Sequence, residues 1–274
     1  MADFFFINLQ SKQLNQSKKM EHPIFQKIAQ APKLDFGDIL SKSFHLFKKV
    51  WVEGMVHILI TIAITIPVMI LVYVPLVPMM IQEGQMLSGQ EFNPFTEYPA
   101  PVIIGYILLL LVLILVLQVF TYGISAHFYK VIQKADTGKP RDTGGYFVFL
   151  KGNFSKLFIL SLAALGIALL AIALCYLPIL YVMVPLQLLI VFFAFNPTLS
   201  VSEIVKASFK LGNKFWLIIF GLIIISSLIA QLGILLCFIG IFVTASFVHL
   251  PMYYVYKDAI GFDEEPLPSG TVRV

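Results

Sequence analysis

Charged residues are scarce in this sequence, and their scarcity excludes an ordinary soluble domain. Of the 274 residues, 12% are Asp, Glu, Lys or Arg and 59% are hydrophobic, whereas soluble domains carry about 25% charged residues. A helix needs about 20 apolar residues to cross a bilayer. Stretches of this kind occur at 54–81, 101–129, 157–176, 179–195, 215–232 and 234–256. We therefore predict an all-α integral membrane protein with six transmembrane helices.

Cysteines are also few, and sequence motifs for cofactors or catalysis are missing. We interpret the two cysteines, Cys175 and Cys237, as small apolar fillers, and whether they pair in a disulfide stays open. No two of the five histidines lie within five residues of each other, which excludes the clustered histidine motifs of membrane di-iron enzymes. Nucleotide-binding loops, zinc-protease motifs and nucleophile elbows do not occur. The sequence therefore favours a protein that is not an enzyme and has no cofactor.

Positive charge is absent from one side of the predicted membrane. All 19 lysines and arginines fall before span 1, between spans 2 and 3, between spans 4 and 5, or after span 6. The opposite side has one sizeable loop, 82–100, which contains glutamates and no basic residue. Because basic residues near span ends resist translocation, we predict that both termini are cytoplasmic. The net charge of +4 then acts at one membrane face, which favours anionic phospholipids as partners and argues against nucleic acid.

A short amphipathic segment occurs twice in the chain. Residues 200–216 align with residues 38–51, and Trp216 matches Trp51. The later copy opens with the pattern S-x-x-E, which predicts a helix N-terminus with a capping box. A weaker copy lies between these two, at 150–154, so the chain has three copies. We predict three cytoplasmic interfacial amphipathic helices, each of which introduces a hairpin of two transmembrane helices.

These hairpins define the predicted domain organisation. One six-helix membrane domain extends over 33–260, after a disordered cytoplasmic N-terminus at 1–32 in which Met20 is an alternative start. A disordered cytoplasmic tail follows at 261–274. The three repeat units within the domain are 33–129, 146–196 and 200–257.

Lysines on the repeated segments are candidates for binding lipid headgroups. Lys206, Lys210 and Lys214 follow each other at intervals of four residues, so a helix places them in one basic stripe. Lys42 and Lys49 lie on the polar face of the first copy. An amphipathic helix in the membrane interface turns such lysines toward anionic headgroups. Ordinary anchoring of the cytoplasmic side also explains the stripe.

Four ionisable residues form a second candidate site. Glu53 and His57 lie one helical turn apart at the cytoplasmic end of span 1. His127 lies at the same end of span 2, and His249 lies inside span 6. Ionisable groups within a membrane protein are functional candidates, and these four would form a metal or proton site if they converged. The alternative is structural, with Glu53 extending to the interface and the histidines joining an aromatic belt or bonding neighbouring helices.

The last third of the chain carries the most specific motifs. These are N-P at 196–197, S-x-x-E at 200–203 and G-N-x-F-W at 212–216. In these residues the chain resembles bacterial six-span membrane proteins of unknown function, which are related to the membrane domain fused to some glycerophosphodiester phosphodiesterases. The resemblance implies an all-helical domain of the bacterial cytoplasmic (inner) membrane. The catalytic barrel of those enzymes has no counterpart in the sequence, so their activity is not implied.

Three functions are compatible with these features. The first is a lipid-associated scaffold or accessory factor of the bacterial envelope, with anionic phospholipids and another membrane or envelope protein as partners. The second is a transporter of a small molecule or lipid through a proline-lined cavity between spans 1 and 4. Gln118 and Gln187 do not require such a cavity, because interhelical hydrogen bonds explain buried glutamines. The third is a membrane enzyme at the Glu/His residues. The lack of catalytic motifs favours the scaffold.

Overall fold

The protein is helical throughout the part of the chain that the computed structural model describes, which is residues 22–74, 77, 99–139, 143–174, 177–235 and 240–262. These residues contain no β-strand, which confirms the all-α prediction within them. The α-helices, with a 3-10 segment η1 (Ala245–Val248) before the last, are α1 (Pro23–Gln30), α2 (Phe36–Tyr73), α3 (Ala100–Thr137), α4 (Val148–Ala173), α5 (Leu177–Phe195), α6 (Val201–Lys214), α7 (Trp216–Leu235), α8 (Ile241–Thr244) and α9 (His249–Ile260).

Among the described residues, five helices are long and apolar enough to cross a membrane, namely α2, α3, α4, α5 and α7. The chain is therefore a membrane-embedded helical protein, as its composition predicts. Helices α2 and α3 have 38 residues each, or about 57 Å of helix, whereas a hydrocarbon core is about 30 Å thick. About half of each helix therefore extends beyond the core that it is able to cross.

The apolar halves of α2 and α3 are almost uncovered by the rest of the protein. In each helix, the most apolar stretch of 18 residues is only 6% buried. The two helices also contact each other within these apolar halves, where the Tyr106 hydroxyl donates to the Val72 carbonyl at 3.0 Å. Exposed apolar surface of this extent is uncommon in monomeric soluble proteins. The helices therefore present a surface that suits lipid.

The predicted sixth span, 234–256, is not one helix. Helix α7 continues to Leu235, and the later part of the predicted span is divided among α8, η1 and α9. The backbone at Gly240, Ala245 and Val248 stays in the right-handed helical region, so the three pieces follow one another as an interrupted helix. None of the three is long enough to cross a membrane by itself.

Helix α9 forms the centre of the packed core. Seven consecutive residues, 250–256, are buried, so no side of this stretch faces out. The helix packs against α1, α2, α3, α5 and α7. A helix that is apolar all round belongs inside a protein or a membrane, and here the surrounding helices supply the cover. The core thus lies in the half of the molecule that contains the basic residues.

The three copies of the repeated segment join their long helices differently. In the first copy, α2 runs through Trp51 without a break, so the predicted entry helix and span 1 are a single helix. In the second copy, α4 is kinked at Asn153, where φ is −135° and ψ is 25°. In the third copy, Phe215 separates α6 from α7 with φ −124° and ψ 29°. Only the third copy therefore has a separate amphipathic helix.

The predicted disorder of 1–32 is wrong for its last third. His22 caps α1 by accepting from the Ile24 amide at 3.3 Å, and Ile24, Phe25 and Ile28 are buried. Helix α1 packs against α6 and α9. Its apolar residues therefore complete the core in a region that the sequence analysis assigned to a disordered tail.

At the other end of the chain, the predicted tail 261–274 begins with a packed residue. Phe262 lies against Phe195, with 4.8 Å between the ring centroids. Residues 1–21, residues 263–274 and both cysteines lie outside the described residues. The remaining predictions of disorder and the question of a disulfide are therefore not addressed by the structure.

Candidate functional site

A polar cavity of about 370 Å³ lies between α3, α5 and the start of α9. Residues from two long apolar helices and one histidine form its wall. The lining residues are Gln118, Thr121, Tyr122, Ser125, Tyr129, Met183, Leu186, Gln187, Ile190 and His249. Gln118 and Gln187, which were predicted to be buried and to form interhelical hydrogen bonds, both line this wall, where Gln118 is half-buried and Gln187 is exposed. No proline lines the cavity, and the helix opposite α5 is α3 rather than α2.

Gln118 has one hydrogen-bonding atom that lacks a partner in the described structure. Its amide nitrogen donates to the Tyr122 hydroxyl at 3.0 Å, whereas its buried carbonyl oxygen has no donor there. An unpaired buried acceptor costs about 1–3 kcal/mol. Gln118 thus has a buried, unpaired amide oxygen beside the cavity in the described structure.

Two of the predicted histidines meet beside the cavity. His57 of α2 stacks on Phe128 with 4.6 Å between the ring centroids. His249 lies edge-on to His57 at 5.1 Å and edge-on to Tyr129 at 5.5 Å. His249 also lines the cavity, whereas His57 is 2% exposed and lies behind it. Both histidines were candidates in the sequence, and the interrupted helix places His249 directly after η1.

A close backbone approach holds this cluster together. Gly54 lies one turn before His57, and a Cβ atom at this position would overlap Ser246 of η1. The Ser246 hydroxyl itself donates to the Val243 carbonyl at 3.1 Å. A glycine is therefore required where α2 passes η1, and this contact sets the distance between His57 and His249.

Glu53 and His127 lie elsewhere, in a cleft on the basic side of the molecule. The ring N–H of His127 donates to the Gly144 carbonyl at 3.2 Å, and the ring lies 4.5 Å from Tyr146. The four predicted Glu/His residues therefore form two pairs instead of one site. Within the described residues, no three His, Cys, Asp or Glu side chains are placed to hold a metal ion.

Two of the predicted lipid-binding lysines instead dock α1 onto α6. Lys214 donates to the carbonyls of Ile28, Ala29 and Ala31 at 3.0, 2.8 and 2.9 Å. These carbonyls lie at the C-terminus of α1, where a helix leaves acceptors unpaired. Lys210 lies 5.2 Å from the centre of the Phe25 ring. Helix α1 therefore contacts two of the three lysines in the predicted basic stripe.

The remaining predicted lysines differ in their exposure. Lys42 pairs with Asp38 at 2.6 Å and with Asp258 at 3.0 Å, so it links α2 to α9. Lys49 and Lys206 are exposed. Lys210 and Lys214 are also exposed, so four of the five predicted lysines have the surface position that contact with a headgroup requires.

Sequence reasoning missed a cluster around Asp136 at the end of α3. Its carboxylate accepts from the Tyr253 hydroxyl at 2.7 Å and from the Tyr254 hydroxyl at 3.0 Å. Lys257 forms an ion pair with the same carboxylate at 2.5 Å. The three partners follow on α9 at spacings that put them on one face. In the sequence, this shared face of α9 was the only sign of the cluster, because more than 110 residues separate Asp136 from its partners.

Comparison with known proteins gives no match to a protein-family model, a curated sequence or a solved structure. The fold and the cavity define the chain as an all-helical, membrane-embedded protein with a polar site among its long helices. The resemblance to six-span bacterial membrane proteins stays a prediction that rests on the motifs within 196–216.

Proposed function

We propose that this protein binds a small, uncharged polar molecule in the cavity between α3 and α5 and carries it across the bacterial cytoplasmic membrane. The cavity is the observation that carries the proposal. Polar groups are rare and usually functional inside membrane helices, and seven of the ten described lining residues carry an amide, hydroxyl or imidazole group. The volume, about 370 Å³, equals that of about a dozen water molecules.

The chemistry of the wall favours an uncharged ligand. Among the described residues, no Lys, Arg, Asp or Glu lines the cavity, so a charged ligand would lack a counter-ion. The glutamines and hydroxyls offer both donors and acceptors. A small molecule with several hydroxyl or amide groups would satisfy them.

The interrupted helix supports movement of the ligand. Discontinuous helices often form the ligand site of membrane transporters, and a 3-10 stretch within a helix often marks a hinge. Here η1 ends at Val248, and the next residue, His249, lines the cavity. A shift of η1 against α2 would therefore change the cavity wall directly.

The membrane arrangement that we propose retains six crossings, with the predicted span 234–256 as the interrupted sixth. The long helices form three hairpins, α6 lies in the cytoplasmic interface, and both termini are cytoplasmic. The one-sided distribution of the 19 basic residues supports this orientation.

A lipid-associated scaffold or accessory factor of the envelope is the second candidate function. The exposure of Lys49 and Lys206 favours it, because both are able to reach anionic headgroups on one membrane face. Under this hypothesis the cavity would have no access to water and no ligand.

Thiol labelling distinguishes the two functions. Ser125 lines the cavity and is 4% exposed, and the variant Ser125→Cys changes one atom of its side chain. In a background that lacks Cys175 and Cys237, we expect a charged, membrane-impermeant thiol reagent to modify this cysteine, because the reactive thiolate requires water. Transport predicts labelling from each side of the membrane in vesicles of opposite orientation.

The matched control is Val112→Cys, on the same helix. Val112 is 57% exposed on the uncovered apolar half of α3, so its thiol should lie in lipid and resist the reagent. Equal resistance at Ser125 would contradict the cavity function and favour the scaffold. Labelling of Ser125→Cys from one side only would be consistent with ligand binding in the cavity and would contradict transport.

A further inference from the structure

A second concave site lies on the basic side, separate from the polar cavity. It is an open cleft of about 620 Å³ between α2, α3 and the connection that follows α3. Its chemistry comes from Glu53, His127, Lys134, Lys139 and Tyr146. It shares no lining residue with the cavity between α3 and α5.

The backbone builds this cleft from two directions. His127, Val131 and Lys134 follow at spacings of four and three residues, so they lie on one face of α3. Gly138 then ends α3 in the left-handed conformation, with φ 66°, which is a common helix terminus for glycine. Gly144, with φ 64°, returns the chain so that its carbonyl accepts from His127. The described residues Thr143, Gly144 and Tyr146 thereby contribute to the wall of the cleft that Glu53 also lines.

Both signs of charge line the cleft. Lys134 and Lys139 supply two ammonium groups, and Glu53 supplies a carboxylate. Burial and, after it, the negative charge of Glu53 raise the pKa of Tyr146, so the carboxylate acts on the part of the wall that contains Tyr146. A purely anionic ligand would leave this carboxylate against negative charge. A zwitterionic ligand would pair with all three groups.

The cleft lies at the depth of a membrane surface. Glu53 immediately precedes residues 54–73, the last 20 residues of α2, which have a length of about 30 Å and so match one hydrocarbon core. Tyrosines such as Tyr146 are frequent at this boundary. A phospholipid headgroup would reach the cleft while its acyl chains remain beside the apolar halves of α2 and α3.

We propose that this cleft binds the phosphoethanolamine headgroup of a membrane phospholipid. Lys134 and Lys139 bind the phosphate, and Glu53 binds the ammonium group. The inference rests on the membrane location proposed above and does not depend on transport through the polar cavity. Bound lipid would hold the connection after α3 against α2.

Native mass spectrometry of the full-length protein in detergent tests the assignment. Titration with phosphatidylethanolamine, phosphatidylglycerol and phosphatidylcholine should show tightest binding of phosphatidylethanolamine, whose primary ammonium donates to Glu53. The variant Glu53→Gln should lower this affinity about fivefold and leave phosphatidylglycerol binding unchanged or stronger. The double variant Lys134→Gln/Lys139→Gln should weaken both lipids, because both contain the phosphate.

The control is Lys33→Gln, which removes an exposed lysine that does not line the cleft and should alter none of these affinities. Equal binding of the three lipids by the unmodified protein, or no effect of Glu53→Gln, would overturn the proposal. Free phosphoethanolamine should compete only weakly, and an affinity equal to that of the lipid would identify a soluble ligand instead. Labelling of Ser125→Cys is independent of all these results, so the two proposals fail separately.

Discussion

At the scale of single residues, Lys214 joins two helices. Its ammonium group donates to three carbonyls at the end of α1, and α1 in turn covers the side of α6 that carries Lys210. The same chemistry that suits a headgroup phosphate also suits unpaired carbonyls at a helix C-terminus. The carbonyls at the end of α1 therefore compete with a headgroup phosphate for the Lys214 ammonium group.

Replacement of this lysine should loosen α1 selectively. The variant Lys214→Gln loses hydrogen bonds from a charged donor, and we expect local opening of α1 to become easier by about 1 kcal/mol. Hydrogen–deuterium exchange of the peptide that covers residues 23–31 should accelerate about fivefold. Lys206→Gln, two turns earlier on α6, should leave this peptide unchanged. Equal exchange in the two variants would show that Lys214 does not hold α1.

Residue types and spacings predicted which side chains belong to a site more often than they predicted the residues that those side chains contact. Asp136 has no sequence neighbour that explains it, because its partners lie on α9. His57 and His249 were candidates, yet only the fold shows that they contact each other. The fold also shows that Glu53 and His127 line a different site, the cleft on the basic side. Partners distant in sequence leave no periodic signal, whereas an ionisable residue in an apolar stretch is visible at once.

At the scale of helices, the local pattern was most informative for α6. The predicted capping box forms, since the Ser200 amide donates to the Glu203 carboxylate at 2.8 Å and the Glu203 amide donates to the Ser200 hydroxyl at 3.3 Å. Hydrogen bonds from the Ser200 hydroxyl and amide lower the pKa of Glu203. The cap is a local feature, so four residues were sufficient to predict it.

Helix α9 and its interruption could not be predicted in the same way. A segment that is apolar on all sides is compatible with both a lipid-facing span and a central buried helix. The 3-10 segment η1 depends on its fit against Gly54, which lies about 190 residues earlier. Hydropathy detected the apolar segment at 234–256, and the tertiary contacts determined its form.

The contact between α2 and η1 gives a prediction at this scale. In the variant Gly54→Leu, the new side chain would overlap Ser246, and overpacking of this kind destabilises a protein by about 2 kcal/mol. We expect a lower thermal midpoint in detergent, measured by the loss of helical circular dichroism or by aggregation. The control Gly105→Leu places the same side chain where no atom lies within 4 Å. Equal thermal midpoints of the two variants would show that the close approach at Gly54 does not contribute to stability.

At the scale of the whole molecule, the chain separates into a packed basic half and an open apolar half. Central helix α9, docking helix α1 and the Asp136 cluster all lie in the basic half. The apolar halves of α2 and α3 project from it with little cover. The composition predicted membrane embedding, and the lengths of α2 and α3 show how far the packed half extends beyond the hydrocarbon.

This division requires that α3 crosses the bilayer and that its basic end lies in the cytoplasm. Single cysteines placed at Gln90, in the loop before α3, and at Thr137, at its end, test both points in a background that lacks Cys175 and Cys237. Intact bacterial cells would be treated with a membrane-impermeant maleimide. The account predicts labelling of Gln90→Cys in intact cells and of Thr137→Cys only after permeabilisation. Labelling of both cysteines from the same side would contradict it.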